Sequence, residues 1–282
     1  MNTEDDWSPA DNPYAIAVSE GQWWQRAAIL AVRRMRDEDD SLGGFSTHQI
    51  DARSLVFALR QILTAVELER TALKELGIPM AVRDELVRAR DRFTAAFPGI
   101  TEMRDGLTHF DEWSRGTGKG PQKKRHEETN EALRDVARHF WGFGYDPQTG
   151  VVSMGPYRLD LSKVEKAATE MSHAIYMAAH AVDQRNAAEL HARTIEVLAD
   201  SGLGCNDDGP ILVFSDGVHV GLALRLGEVS DEQERTALAS KLVAAAAAGG
   251  LRATSTMYPD AEDTAERLAA GEQLRIELVL TA

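Results

Sequence analysis

The chain has 282 residues, 43% of them hydrophobic and 27% charged, the balance of a soluble globular protein with a core to bury, and the length allows one large domain or two ordinary ones. A formal net charge of −14 argues against coating nucleic acid over a broad surface, which needs a basic face. The lone Cys205 excludes an internal disulfide framework and a cysteine-rich zinc site, no apolar run is long enough to span a bilayer, and the acidic start is unlike a secretory or transit segment, so the cytoplasm is the expected compartment.

Residues 1–18 lack periodicity, carry Pro9 and Pro13, and read as an extended arm. From Glu20 the pattern turns helical: Trp23, Ala27, Leu30, Ala31 and Arg34 recur at three and four, up to an acidic stop at 37–40 and Gly43-Gly44. Adjacent helical positions point roughly 100° apart, so one of Trp23 and Trp24 is expected to face the core and the other a partner. A long second helix is predicted from Ser46 or Thr47 to Leu76, with Leu55, Leu59, Ile62, Leu63, Val66 and Leu73 in its apolar stripe. Gly77 closes it and Pro79 opens a third helix over 80–97, which Pro98-Gly99 breaks.

The fourth predicted helix, 100–114, carries the chemistry. Met103, Leu107, Phe110 and Trp113 supply an apolar face, and Gly106 inside it suggests close approach by another backbone. Asp105 and His109 are four apart, so on a helix they share a face, and the carboxylate is expected to hold one imidazole nitrogen and leave the other free. Arg104 sits one position off that face, but its long fork reaches back to a shared anion. An imidazole that moves protons at neutral pH beside a fixed cation suffices for RNA cleavage without a metal.

These residues, R-D-G-L-T-H, resemble the motif of HEPN-superfamily domains, in which an arginine, usually followed by a polar residue, is separated by four to six residues from a histidine. The resemblance covers Arg104, Asp105 and His109 in a helical setting over about the first two-thirds of the chain. It implies a helical bundle and a metal-independent endoribonuclease of the toxin or defence type that needs no cofactor. It also implies a homodimer or larger assembly in which two such motifs meet, and a possible antitoxin or regulatory protein as partner. In that mechanism His109 is base or acid at the ribose 2′-OH, Arg104 offsets charge on the phosphorane-like transition state, and Asp105 orients His109.

A basic run follows the motif. Arg115, Lys119, Lys123, Lys124 and Arg125 are expected to form a phosphate-steering, RNA-binding rim; the alternative is an ordinary solvated face. After the glycine-rich loop 116–121 comes a helix over 123–140, then a hairpin of 143–145 with 151–153 around Asp146–Gly150, extended by 157–159. Ser162 is expected to cap a long helix over 163–199, with Glu165 completing a capping box. Glu170 and His173 have the spacing of half a di-iron motif, but no second copy exists, so no metal site is expected, and His173 and His180 read as interface histidines.

Residues 200–209 are the expected domain boundary. Beyond them the pattern is ββαβαβ: a hairpin turning at Asp216-Gly217, a helix over 230–248, a strand over 251–258, a short helix over 259–270 and a strand over 273–281. The expected fold is therefore mainly α: a helical bundle over 1–200 with an inserted β-hairpin, followed by a small α/β domain over 205–282. The alternative to a ribonuclease is a non-catalytic interaction or oligomerisation module built on the same bundle; no membrane partner is expected.

Overall fold

The computed structural model describes residues 8–205, 209–255 and 263–278. It is mainly α, with a helical amino-terminal region and a small carboxy-terminal sheet with helices, and its contacts divide it into two compact units, Met1–Ala179 and His180–Ala282. Among the described residues no helix is long and apolar enough to cross a membrane.

The first unit is organised on an antiparallel helix pair. Helix α1 (Pro13–Arg34) starts earlier than its periodicity suggests, with Pro13 in the first turn, where a missing N–H costs nothing; residues 13–18 are thus helix and not arm. Its buried stripe is small (Ala17, Gly21, Ala28, Ala31 and Val32), which allows close packing: a β-carbon on Gly21 would lie 2.9 Å from Ile175 Cδ1. Two two-residue strands, β1 (Ser41–Leu42) and β2 (Phe45–Ser46), form a hairpin over Gly43-Gly44, both with positive φ as such a tight turn requires. Helix α2 (Thr47–Glu75) begins at Ser46, whose side chain accepts the Gln49 N–H, and buries Leu55, Leu59, Ile62, Val66 and Leu73. Arg34 at the end of α1 reaches Asp51 at the start of α2 at 3.7 Å.

Helix α3 (Met80–Ala96) follows Pro79, and Gly99 in the left-handed region leads into α4 (Ile100–Thr108). The helix predicted over 100–114 does not run straight through. His109 (φ −105°, ψ 42°) breaks it, and a single turn, α5 (Phe110–Trp113), follows. The break separates side chains that a straight helix would align: Trp113 is 1% exposed, whereas Phe110, expected on the apolar face, is 62% exposed. The helix expected over 123–140 is likewise two, α6 (Pro121–Thr129) and α7 (Leu133–Phe140), parted at Asn130 with φ 55°. Asparagine tolerates that conformation better than other β-carbon residues.

Strands β3 (Phe143–Asp146), β4 (Val151–Met154) and β5 (Tyr157–Asp160) form an antiparallel meander in the order β3-β4-β5. It buries Val152, Met154 and Leu159, and the Trp113 and Phe140 rings meet edge to face at 5.9 Å. A 3-10 turn, Leu161–Lys163, then enters helix α8 (Val164–Asp200); the cap is Asp160, which accepts from the Ser162 N–H and hydroxyl, rather than Ser162 itself.

In the second unit β6 (Ile211–Ser215) and β7 (Val220–Leu224) form the hairpin expected at Asp216-Gly217. Helix α9 (Glu232–Ala248), β8 (Leu251–Ser255), α10 (Thr264–Ala269) and β9 (Leu274–Leu278) complete an all-antiparallel sheet in the order β6-β7-β9-β8. The outer parts of the last strands and helix expected from sequence, 256–262 and 279–282, lie outside the described residues. The division between units falls inside α8 and not in the 200–209 loop, because the last turns of α8 belong to the second core: Ala187, Val197 and Leu198 pack with Leu222, Leu242 and Leu274.

Candidate active site

Arg104, Asp105 and His109 all lie on or at the end of α4, which packs on α2. Their pairing differs from the expected one. Asp105 is bound to its neighbour, with Arg104 Nη1 3.0 Å from Asp105 Oδ1, and no hydrogen bond joins Asp105 to the His109 ring among the described residues. His109 is the residue between α4 and α5, with φ −105° and ψ 42° outside the helical region, and the Asp105 carboxylate is taken by Arg104. Its backbone is fully used, the N–H donating to the Asp105 carbonyl at 2.8 Å and the carbonyl accepting from Trp113 N–H at 3.0 Å. The imidazole is exposed, so it is available to a ligand rather than packed into the core.

A residue the sequence reading passed over joins the cluster. Arg60 on α2 lies close enough to Arg104 for the two charges to act on each other. Burial first, and the Arg104 charge second, hold its guanidinium below the usual arginine range, while Asp105 and Glu67 pull the other way. Its Nη1 donates to Thr64 Oγ1 at 3.1 Å, and its Nε is buried without a hydrogen-bond partner among the described residues. Glu67 in turn holds Arg70 at 2.8 Å and Arg90 of α3 at 3.2 Å. The cluster of Arg60, Arg90 and Arg104 against Glu67 and Asp105 therefore carries a surplus of positive charge in a chain of net −14. Arg53, Arg60 and Glu67 fall at intervals of seven on α2, which puts them on one stripe; that spacing was the available signal.

Gly106 is explained by side chains rather than by a neighbouring backbone: a β-carbon there would collide with Met154 Cε and lie 2.9 Å from the Trp113 ring. Beside it opens a cavity of about 400 Å³, lined by Gly106, Leu107, Phe110, Trp141, Phe143 and Met154. Arg53 also lines it, its guanidinium carbon 4.8 Å from the Phe143 ring centre. From sequence Phe110 was read as part of the apolar face of the helix and Phe143 as part of the hairpin, and Trp141 was not singled out.

The basic run is more nearly neutral than its composition suggests. On α6, Lys123 lies 3.7 Å from Glu127 and Lys124 3.8 Å from Glu128, both one helical turn away. Arg125 makes a fork to Glu131, at 2.8 and 2.7 Å, which raises its pKa and lowers that of Glu131. Arg115 Nε donates to the Asp111 carbonyl at 2.9 Å, and Lys119 is exposed in the loop before α6. Exposed pairs of this kind are weak and screened by salt, so the lysines remain exchangeable for another anion, whereas Arg125 is committed.

On α8, Glu170 is paired with Lys166 at 3.8 Å and His173 stacks with Tyr176 at 6.5 Å. Among the described residues no group of three or more His, Cys, Asp and Glu side chains is placed to hold a metal ion. His219 is at the end of the β6–β7 turn, its Nδ1 3.2 Å from Asp216. A scan of family models and searches of curated proteins and of solved structures find no match to this chain.

Proposed function

We infer that the chain is a HEPN-like endoribonuclease that cleaves RNA through the ribose 2′-OH without a metal, acting in the cytoplasm as a toxin or defence effector. The observation that carries this reading is an exposed imidazole, His109, at the end of a helix whose Arg104 belongs to a cluster with a surplus of arginine. His109 takes the proton from the 2′-OH, or gives one to the leaving group. The 2′-oxygen forms a bond to the adjacent phosphorus, the bond to the 5′-oxygen breaks, and a 2′,3′-cyclic phosphate remains. Arg104, backed by Arg60, offsets the charge that grows on the phosphorane oxygens. Asp105 acts through Arg104, which it fixes, and Lys119, Lys123 and Lys124 with Arg115 steer the strand. One imidazole serves as acid or base but not both at once, so the reading includes a homodimer that brings a second His109 to the strand. A regulatory or antitoxin-like partner remains part of it.

The test is incubation of the purified protein with mixed RNA in EDTA. Cleavage to 2′,3′-cyclic phosphate ends is expected, together with its loss in His109→Ala, a change at an exposed position that leaves the melting temperature within about a degree or two. Full cleavage by that variant would remove His109 from the chemistry.

A second reading, a non-catalytic interaction module, is favoured by one observation. Trp23 and Leu30 are 66% and 52% exposed on α1, seven apart on one line and opposite the small-residue stripe that is buried.

A further inference from the structure

We propose that the cavity between α4–α5 and strand β3 seats a nucleobase of the RNA strand held at His109. The inference rests on the ribonuclease reading for the source of the base, but its geometry is independent of catalysis. The cavity, about 400 Å³, is within the range of small-ligand sites. Its rim carries two aromatic side chains with open faces, Phe110 at 62% and Trp141 at 47% exposure. Neither ring is paired with another aromatic among the described residues, unlike Trp113 and Phe140, which pack against each other in the core. Trp141 and Gly142 join α7 to β3, with Gly142 at φ 93°, and Phe110 opens α5 beyond the His109 break. Each tip is thus placed by a departure from regular structure that turns the ring outward.

Charge decides the class of ligand. Among the described residues the lining contains no carboxylate, and its one charged side chain is Arg53, held over Phe143. In a chain of net charge −14, an aromatic pocket free of acids and carrying a guanidinium discriminates against cationic rings and favours a planar ring attached to an anion. A nucleotide is that ligand: its base stacks on Phe110 or Trp141, and Arg53 takes the phosphate or a base edge. Position agrees with this. Gly106, Leu107 and Phe110 on the wall bracket His109 in the chain, so a base in the cavity brings its ribose and phosphate to the α4–α5 junction.

The test uses the full-length protein and two probes, adenosine 5′-monophosphate and a single-stranded RNA tetranucleotide methylated at every 2′-oxygen so that it cannot be cleaved. Ribose 5-phosphate is the base-free control. Binding is followed by calorimetry in wild type, Trp141→Ala, Phe110→Ala and Arg53→Ala, with Phe45→Ala as an exposed aromatic outside the cavity (72% exposed). Because Trp141 and Phe110 are both solvent-facing, their truncation leaves the core intact, which the far-ultraviolet melting curve verifies. Expected are tighter binding of both base-bearing probes than of ribose 5-phosphate, tighter binding of the tetranucleotide than of the mononucleotide, and a loss of about 5- to 150-fold in Trp141→Ala or Phe110→Ala. Phe45→Ala should bind as wild type. Base-bearing probes binding no better than ribose 5-phosphate, or both truncations binding as wild type, would overturn the proposal, and so would a mononucleotide binding more tightly than the tetranucleotide. Binding without any RNA cleavage by the wild type would leave the pocket standing and remove the nuclease; cleavage without base-dependent binding would do the reverse.

Discussion

Gly99→Ala tests how the site helix is held. Gly99 precedes α4 with φ 83°, a conformation that costs a residue with a β-carbon about 1–2 kcal/mol. An ideal β-carbon there would also enter the Tyr157 ring of β5, 2.7 Å from its Cγ and closer still to Cδ1. The atoms met are Cγ and Cδ1, near the root of the half-buried Tyr157 side chain, whose ring lies 6.2 Å from that of Phe140, so relief requires the whole ring to shift. Forcing an extra carbon into such a contact typically costs a further ~1–3 kcal/mol, so the total is about 2–5 kcal/mol. The two contributions separate in a double-mutant cycle. In a Tyr157→Ala background the collision disappears and only the backbone strain, about 1–2 kcal/mol, should remain. Urea unfolding followed by tryptophan fluorescence is the assay, because the second unit, from His180 on, contains none of the chain's five tryptophans in its sequence, and the signal therefore does not report on it directly. Equal costs of Gly99→Ala in the two backgrounds, within about 0.5 kcal/mol, would refute the claim that Tyr157 and Gly99 lock the start of α4 together.

Two further outcomes are expected. Asp216 accepts the His219 N–H at 2.6 Å and the Val218 N–H at 2.9 Å, and these bonds, the His219 one foremost, lower its pKa to about 2. A carboxylate with a depressed folded pKa contributes stability that is present above its unfolded value near 3.8 and fades as pH falls toward 2; a carboxyl NMR titration should show the midpoint, and Asp216→Asn should remove this part of the acid limb. For assembly, light scattering at micromolar concentration should give at least twice the chain's 30.9 kDa, and Trp23→Ala should lower it; a monomer mass for wild type would remove the two-imidazole mechanism.

Much of the fold was legible because punctuation and periodicity agreed. Gly77, Pro79 and Pro98-Gly99 bound helices whose apolar stripes are unambiguous, and Asp146–Gly150 and Asp216-Gly217 turn hairpins at the predicted places. What escaped is instructive at His109. Neither glycine nor proline stands there, and Met103, Leu107, Phe110 and Trp113 are spaced for one continuous helix; the break comes from tertiary packing, which buries Met103 and Trp113 and turns Phe110 out. The Asn130 break was readable in principle, since asparagine ends helices in the left-handed region. Helix α8 reads as one element and is one, yet its two parts serve different cores, a division that periodicity cannot report.

In the proposed ribonuclease the same break would set how the site works. In a straight helix Asp105 would hold His109, fixing the ring and raising its basicity, and Arg104 would stand apart. With the turn at His109, Asp105 instead pairs with Arg104, and the imidazole is left without that hold. In the proposed mechanism its orientation would then come from the strand it binds. A strand anchored at two points, its base on Phe110 or Trp141 and its phosphate against the Arg104–Arg60 cluster, would present the ribose to the ring in a restricted set of poses. In the proposed mechanism the aromatic cavity and the arginine cluster would then act as coupled parts of one site. On that reasoning, removing either anchor should reduce cleavage even though neither touches the proton being transferred.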